Sequence, residues 1–373
     1  MTGRLVVVPG SGLDAGNCVR WGADASLEVE VREGDPADVL GSLPAEDPPR
    51  IAGVIIAPGP EGLDAGALAA AVASTSLPVV AVVPDNLRKT VAQLEASRLV
   101  VAGARLLYGR GAETARHAVL YLARRRRHTP DTLAYGPEPG QEGDLWVPPG
   151  AGPHPVAVLF HGGFWYHAWE RDLMDGLALD LSRRGIAAWN VGYRRVGAGG
   201  GWPATGDDAN RGTEHLLALA PVYGLDLDRV AVLGHSAGAQ LALWVAARRR
   251  RAAVRPIVAV GLATIADLAA ARAEGTGGGS VGRFLAGAGD PEIALAEASP
   301  MARLPIGVAQ ILAHAVDDGV VPVTQTTRYA EAARAAGDEV EVLELEQGGH
   351  FDLVDPATPA WEAVVSALEA RLR

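Results

Sequence analysis

Residues Gly234-His235-Ser236-Ala237-Gly238 constrain this chain more than any other stretch. They follow residues 228–233, a short run that reads as a buried strand, and precede residues 239–247, whose composition is helical. A strand, a sharp turn and a helix around Gly-x-Ser-x-Gly form a nucleophile elbow, in which a strained turn presents the serine. A side chain at either glycine would crowd strand against helix. The elbow therefore predicts an α/β chain around it.

The same alternation runs through the sequence twice. Residues 5–8, 54–56, 79–83 and 100–107 read as strands, with helical composition over 63–74 and 113–125. Pro130, Pro137, Pro139, Pro148, Pro149, Pro153 and Pro155 then interrupt the pattern, marking a boundary near residue 128. Beyond it, 156–160, 186–191, 228–233, 257–262, 308–314 and 340–345 read as strands. Residues 172–184, 207–219 and 361–372 read as helices. Strands alternating with helices predict parallel sheets covered on both faces. Residues 275–282 are Gly-rich but lack the Lys-Ser/Thr of a phosphate loop, so they read as a flexible loop or lid.

At 373 residues, two domains are expected, here 1–128 and 129–373. The net charge of −11 argues against nucleic-acid binding. The Arg runs at 124–127 and 248–251 each close an apolar helical stretch, where cations complement the helix dipole. Cys18 is the only cysteine, which fits a reducing compartment. The first residues lack a signal-peptide core, and no window approaches the ~18 apolar residues of a membrane span. A cytoplasmic protein without membrane contact is expected.

A serine hydroxyl needs a base to take its proton, and the base needs a third group to hold its tautomer. In elbow enzymes the chain order is Ser, then Asp or Glu, then His. Only His314 and His350 lie downstream of Ser236. His350 sits in Gly348-Gly349-His350, a loop after the last strand, and is the expected base; His314 ends an apolar run and reads as structural. Asp317 and Asp318 both precede His350, and order alone does not separate them. Asp352 is too near His350 in sequence to orient its ring, and serves the loop instead. An acyl-transfer intermediate carries an oxyanion, which preorganised N–H donors must face. The Ala237 amide comes with the elbow. The amides of Gly163 and Phe164, in His161-Gly162-Gly163-Phe164-Trp165 after an early strand, are the other candidates, with His161 and Gly162 supporting the turn. Trp165, Tyr166, Trp169, Tyr193, Trp202 and Phe351 read equally as a planar-substrate mouth or as core.

From about residue 135 onward, these motifs resemble the α/β-hydrolase superfamily, in the group of hormone-sensitive-lipase-like esterases, feruloyl-esterase-like enzymes and kynurenine formamidases. His-Gly-Gly-Phe-Trp is nearer the formamidase His-Gly-Gly-Tyr-Trp than the lipase His-Gly-Gly-Gly. The resemblance implies about eight mostly parallel strands and an acyl-enzyme mechanism without metal or cofactor. Its Asp-x-x-Val-Pro pattern, here Asp318 to Pro322, favours Asp318. A carboxylesterase-like serine hydrolase acting on a small-molecule ester or amide is expected. Arylformamidase on N-formylkynurenine is the alternative, with a prolyl-oligopeptidase-type peptidase third. From another class, a catalytically silent ligand-binding or scaffold protein is the rival.

Residues 4–125 resemble type II 3-dehydroquinate dehydratase, a flavodoxin-like fold. The pattern is carried by Gly53 to Gly59, residues 77–86, and Val101 through Gly111. Its chemistry is missing. Ala57 stands where that family has Asn, Glu61 and Leu63 where its helix has Tyr and His, and Val83 where a second His belongs, leaving Asn86. No tyrosine precedes Tyr108. Without a Tyr base and a His acid, the domain is expected to be non-catalytic, serving oligomerisation or small-ligand sensing. Gly10-Ser11-Gly12 misses the spacing of a dinucleotide loop.

Overall fold

In strand β1 (Gly3–Val8), Val6 and Val8 go to one face and Leu5 and Val7 to the other, and all four are fully buried. A strand that is apolar on both faces needs cover on both sides, which crossover helices supply. The computed structural model describes residues 3–9, 13–24, 27–43, 51–57, 64–75, 77–83, 105–108, 113–248 and 252–373. The chain divides into two units, Met1–Thr129 and Pro130–Arg373.

In the first unit, β2 (Leu27–Val31), β3 (Ile51–Ile56), β4 (Val79–Val83) and β5 (Arg105–Tyr108) join β1 in the order β2-β1-β3-β4-β5, every pairing parallel. Helices Pro36–Ser42 and Ala65–Ser74 pack on the Val6 face. Ala15–Asp24 and Glu113–Arg127 pack on the Leu5 face. The Gly10–Gly12 turn, the residues around Asn86 and the first half of the strand expected over 100–107 lie outside the described residues.

The second unit holds an eight-stranded sheet in the order β13-β12-β11-β10-β8-β9-β7-β6. Its strands are β6 (Asp131–Ala134), β7 (Glu142–Trp146), β8 (His154–Phe160), β9 (Ala187–Val191), β10 (Leu225–His235), β11 (Val258–Leu262), β12 (Ala309–Ala315) and β13 (Val340–Leu345). Pairings from β13 to β9 are parallel; β7 runs antiparallel to β9, and β6 to β7. Val156, Val158 and Phe160 of β8 meet the helices of residues 204–247, whereas Ala157 and Leu159 meet helices Asp175–Arg183 and Pro359–Leu372. Among the described residues no helix is long and apolar enough to cross a membrane.

Two sequence expectations need correcting. Residues 207–219 are not one helix: Ala204–Glu214 and Leu216–Tyr223 meet at His215. The stretch 275–282 is not a plain loop, because helix Ser280–Leu285 starts inside it. That helix belongs to a helical segment between β11 and β12, with Leu268–Ala273 and Pro291–Ala298. Of the aromatic side chains left open between mouth and core, Trp165, Tyr193 and Trp202 are buried, Tyr166 is exposed, and Trp169 and Phe351 are half-buried.

Candidate active site

β10 lies between β8 and β11, and register pairs Gly234 with Phe160 and His235 with Leu262. The loops after β8, β10, β12 and β13 thus gather at one edge, the carboxyl ends of parallel strands, where α/β sheets build their sites.

Ser236 turns directly from β10 into helix Ala237–Ala247 with φ 54 and ψ −119, a left-handed conformation rare for a residue with a side chain. The turn can be this tight only because its neighbours are glycines. A Cβ on Gly234 would lie 2.0 Å from the Gly238 carbonyl oxygen, and one on Gly238 would lie 2.1 Å from that of Phe160. The Ser236 hydroxyl is buried and has no hydrogen-bond partner among the described residues.

After β8, the chain turns through Gly163, Phe164 and Trp165 with φ of 109, 51 and 59. Gly162 lies against the elbow: its Cβ would come 3.2 Å from Ser236 Cβ. Gly163 must lack one because the Trp169 ring would be 2.3 Å away. Among the described residues no hydrogen bond engages the amides of Gly163, Phe164 or Ala237. Successive free N–H groups in such a turn form anion-binding concavities. His161 supports the turn from beneath. It is stacked 4.2 Å from Tyr193, its Nδ1 lies 2.7 Å from the Gly162 carbonyl, and the Tyr193 hydroxyl donates to the His161 carbonyl at 2.7 Å. Burial, with the Arg195 cation nearby, lowers His161 to about 3. It is neutral at working pH.

His350 follows β13, and its Nδ1 lies 2.7 Å from Asp318 Oδ2. Asp318 Oδ1 accepts from the amides of Val320 and Val321 at 2.7 and 2.9 Å. Burial opposes ionisation of Asp318, but hydrogen bonds from His314 and His350 outweigh it and hold the carboxyl well below the usual carboxylate range. Geometry divides the two adjacent acids. Asp318 takes the ring of His350, while Asp317 takes its loop, accepting from Gly349 N at 2.8 Å. His314 is fixed by Thr326 Oγ1 at 2.7 Å and lies 3.2 Å from Asp318, behind the acid and not in the base position.

Sequence reasoning gave no role to His235 or Gln240 and left Trp169 and Phe351 open between mouth and core. His235 brings its Nε2 to 3.0 Å from the His350 carbonyl with ring centroids 4.5 Å apart, linking the elbow to the base loop. Burial, reinforced by neighbouring His350, drives His235 well below an ordinary histidine. The Trp169–Phe351 stack, at 5.5 Å, joins the Gly163 turn to the His350 loop. For Gln240, its lone polarity in an apolar helix was the available signal. Among the described residues no group of three or more His, Cys, Asp or Glu could hold a metal ion.

The sheet and this edge have the fold of solved esterases that superpose on the chain. The BD-FAE family model matches residues 144–332, just over half of the sequence, and the chain belongs to that family. The matched span contains Ser236 and Asp318 and ends before His350. A probable isoprenylcysteine alpha-carbonyl methylesterase of Arabidopsis thaliana is 33% identical over 118 residues, 30% of this chain and 23% of the relative. The chain thus spans under a quarter of that relative's length. The esterase LipW from Mycobacterium marinum superposes with a TM-score of 0.57 at 23% identity, covering 69% of this chain and 85% of that one. An acetyl ester-xyloside bifunctional hydrolase from Caldicellulosiruptor lactoaceticus gives 0.55 at 22% identity, over 64% and 94%. At these identities the likeness is one of fold.

Proposed function

We propose that the second unit is a serine esterase that cleaves a small carboxylic ester through an acyl-enzyme. The observation that carries this reading is the 2.7 Å contact of His350 with Asp318 on the same edge as a strained, buried Ser236. Ser236 Oγ attacks the ester carbonyl carbon and gives its proton to His350 Nε2. Asp318, ionised, holds the imidazolium and its tautomer. The amides of Gly163, Phe164 and Ala237 receive the oxyanion. As the intermediate collapses, the alcohol leaves with the proton from His350. Water then loses a proton to His350 and releases the acid. The absence of a Ser236 hydrogen bond suits a free site, since catalytic contacts often tighten only with substrate bound.

Ser236→Ala should lower turnover of p-nitrophenyl acetate by several orders of magnitude, and a fluorophosphonate should add covalently to Ser236 in the parent. A variant as fast as the parent removes the proposal, and a parent that takes no label at Ser236 favours the silent binding role. N-Formylkynurenine, assayed beside simple esters, measures the arylformamidase alternative.

For the first unit, the strand order 2-1-3-4-5 supports a flavodoxin-like doubly wound domain. Its likeness to 3-dehydroquinate dehydratase rests on sequence pattern alone. We assign it no catalysis and a role in self-association. Light scattering of the full chain against residues 130–373 tests this: equal subunit numbers would exclude it.

A further inference from the structure

Gln240 stands one helical turn after Ser236 and is fully buried. The two ends of its amide are held in different directions. Oε1 accepts from Trp165 Nε1 at 2.9 Å, and Nε2 donates to the Ala298 carbonyl at 2.8 Å. Trp165 closes the turn that carries the Gly163 and Phe164 amides. Ala298 ends helix Pro291–Ala298, in the segment between β11 and β12. That segment meets the turn at two more places. Phe284 stacks on Trp165 at 4.3 Å with ring planes 10° apart. A Cβ on Gly277 would lie 2.3 Å from Phe164 Cε1, so the Phe164 ring rests on that glycine's backbone.

Phe164 and Trp165 are consecutive left-handed residues with side chains. Such conformations persist only where the surroundings over-determine them. Here the surroundings are Gln240, Phe284 and Gly277. A hydrocarbon side chain would fill the space of Gln240 but would leave the Trp165 N–H and the Ala298 carbonyl without these bonds.

We propose that Gln240 is a positioning residue for the oxyanion turn, coupling the Gly163 and Phe164 amides, through Trp165 and Ala298, to the segment between β11 and β12. This rests on the acyl-enzyme reading above. Gln240 touches no reacting atom; it acts by fixing where two donors point. Misplacement of a catalytic group by about 1 Å can cost about a hundredfold in rate.

The test uses Gln240→Leu, Trp165→Phe and the double variant of the full chain. Each single variant should lower kcat on p-nitrophenyl acetate by about tenfold to a hundredfold with KM unchanged. Because both changes cut the same bond, the double variant should be no slower than Gln240→Leu alone. Affinity for a trifluoromethyl ketone, which forms an oxyanion adduct with serine, should fall by the same factor as kcat/KM. Affinity for the corresponding secondary alcohol, which cannot form the adduct, should stay constant. Parent-like kcat, a loss confined to KM, or additive losses would overturn the inference. Trp165→Phe keeps the ring that stacks on Phe284 and removes only the N–H, so it decides the matter if Gln240→Leu does not fold. If the parent itself takes no fluorophosphonate on Ser236, the acyl-enzyme reading fails and this inference falls with it. A labelled, active parent with unaffected variants overturns the role of Gln240 alone.

Discussion

Asp318 gathers two backbone amides on one carboxylate oxygen and two histidines on the other. An amide in its place would keep the Val320 and Val321 contacts but present the wrong group to His350 Nδ1. Asp318→Asn should therefore fold normally and lose about a thousandfold or more in kcat on p-nitrophenyl acetate. Unchanged kcat would move the acid role elsewhere. His161 makes a different prediction, about pH. The unfolded chain protonates a histidine near 6.5, whereas folded His161 waits until about 3. Between those values the unfolded state binds more protons, so stability falls on acidification by about 1.4 kcal/mol per pH unit for each such histidine. His235, lowered by the same burial, adds to that slope. Asp318 has the opposite history: its folded value lies below the unfolded one near 3.9, so its contribution holds above that pH and is lost only below it. Urea unfolding between about pH 7 and about pH 4 should show a shallower pH slope in His161→Asn than in the parent. Identical slopes would refute a buried neutral His161. At this scale the sequence was most informative about Ser236 and His350, because chain order and flanking glycines are local. Chain order alone could not separate Asp317 from Asp318, and Asp318 was favoured only by the resemblance's Asp-x-x-Val-Pro pattern. Both sit on one loop, and in the structure their directions, ring against backbone, tell them apart.

The elbow is the element where local sequence and three-dimensional space agree most closely. Gly234 and Gly238 face backbone atoms that cannot move aside. Gly238→Ala should lower the unfolding free energy by about 1–3 kcal/mol or more, read as a urea midpoint, and depress activity with it. Gly185 is the control. It has φ +85 but nothing within 4 Å of a would-be Cβ, so Gly185→Ala should cost only the left-handed backbone, about 1–2 kcal/mol, and leave kcat intact. Equal damage to activity from the two changes would deny the elbow its special packing. Other elements were harder to see in the sequence. β2 alternates Leu and Val with Glu at the sheet edge, a half-buried pattern that runs for only five residues. Helices Leu268–Ala273, Ser280–Leu285 and Pro291–Ala298 are six to eight residues long, too short to show a helical period. Their order comes from tertiary contacts such as Phe284 on Trp165 and Trp244 Nε1 donating to the Glu297 carbonyl at 2.8 Å.

For the whole molecule, the Pro-rich stretch after residue 128 was the legible boundary, and each side of it has its own sheet and its own two-faced core. Ser236, Asp318, His350, the oxyanion turn and Gln240 all belong to the second unit. Every hydrogen bond described for Asp318, His350 and Gln240 ends on a residue of that unit as well. A unit with its own core is expected to fold alone. Residues 130–373 should therefore fold cooperatively and keep the kcat/KM of the full chain on p-nitrophenyl acetate, while residues 1–129 should show no turnover. The informative failure is specific: a fragment with an intact circular dichroism spectrum but lost kcat would mean that the first unit supports the site itself. Retained kcat with altered subunit number would instead place the role of the first unit in assembly, since chemistry would then be complete without it.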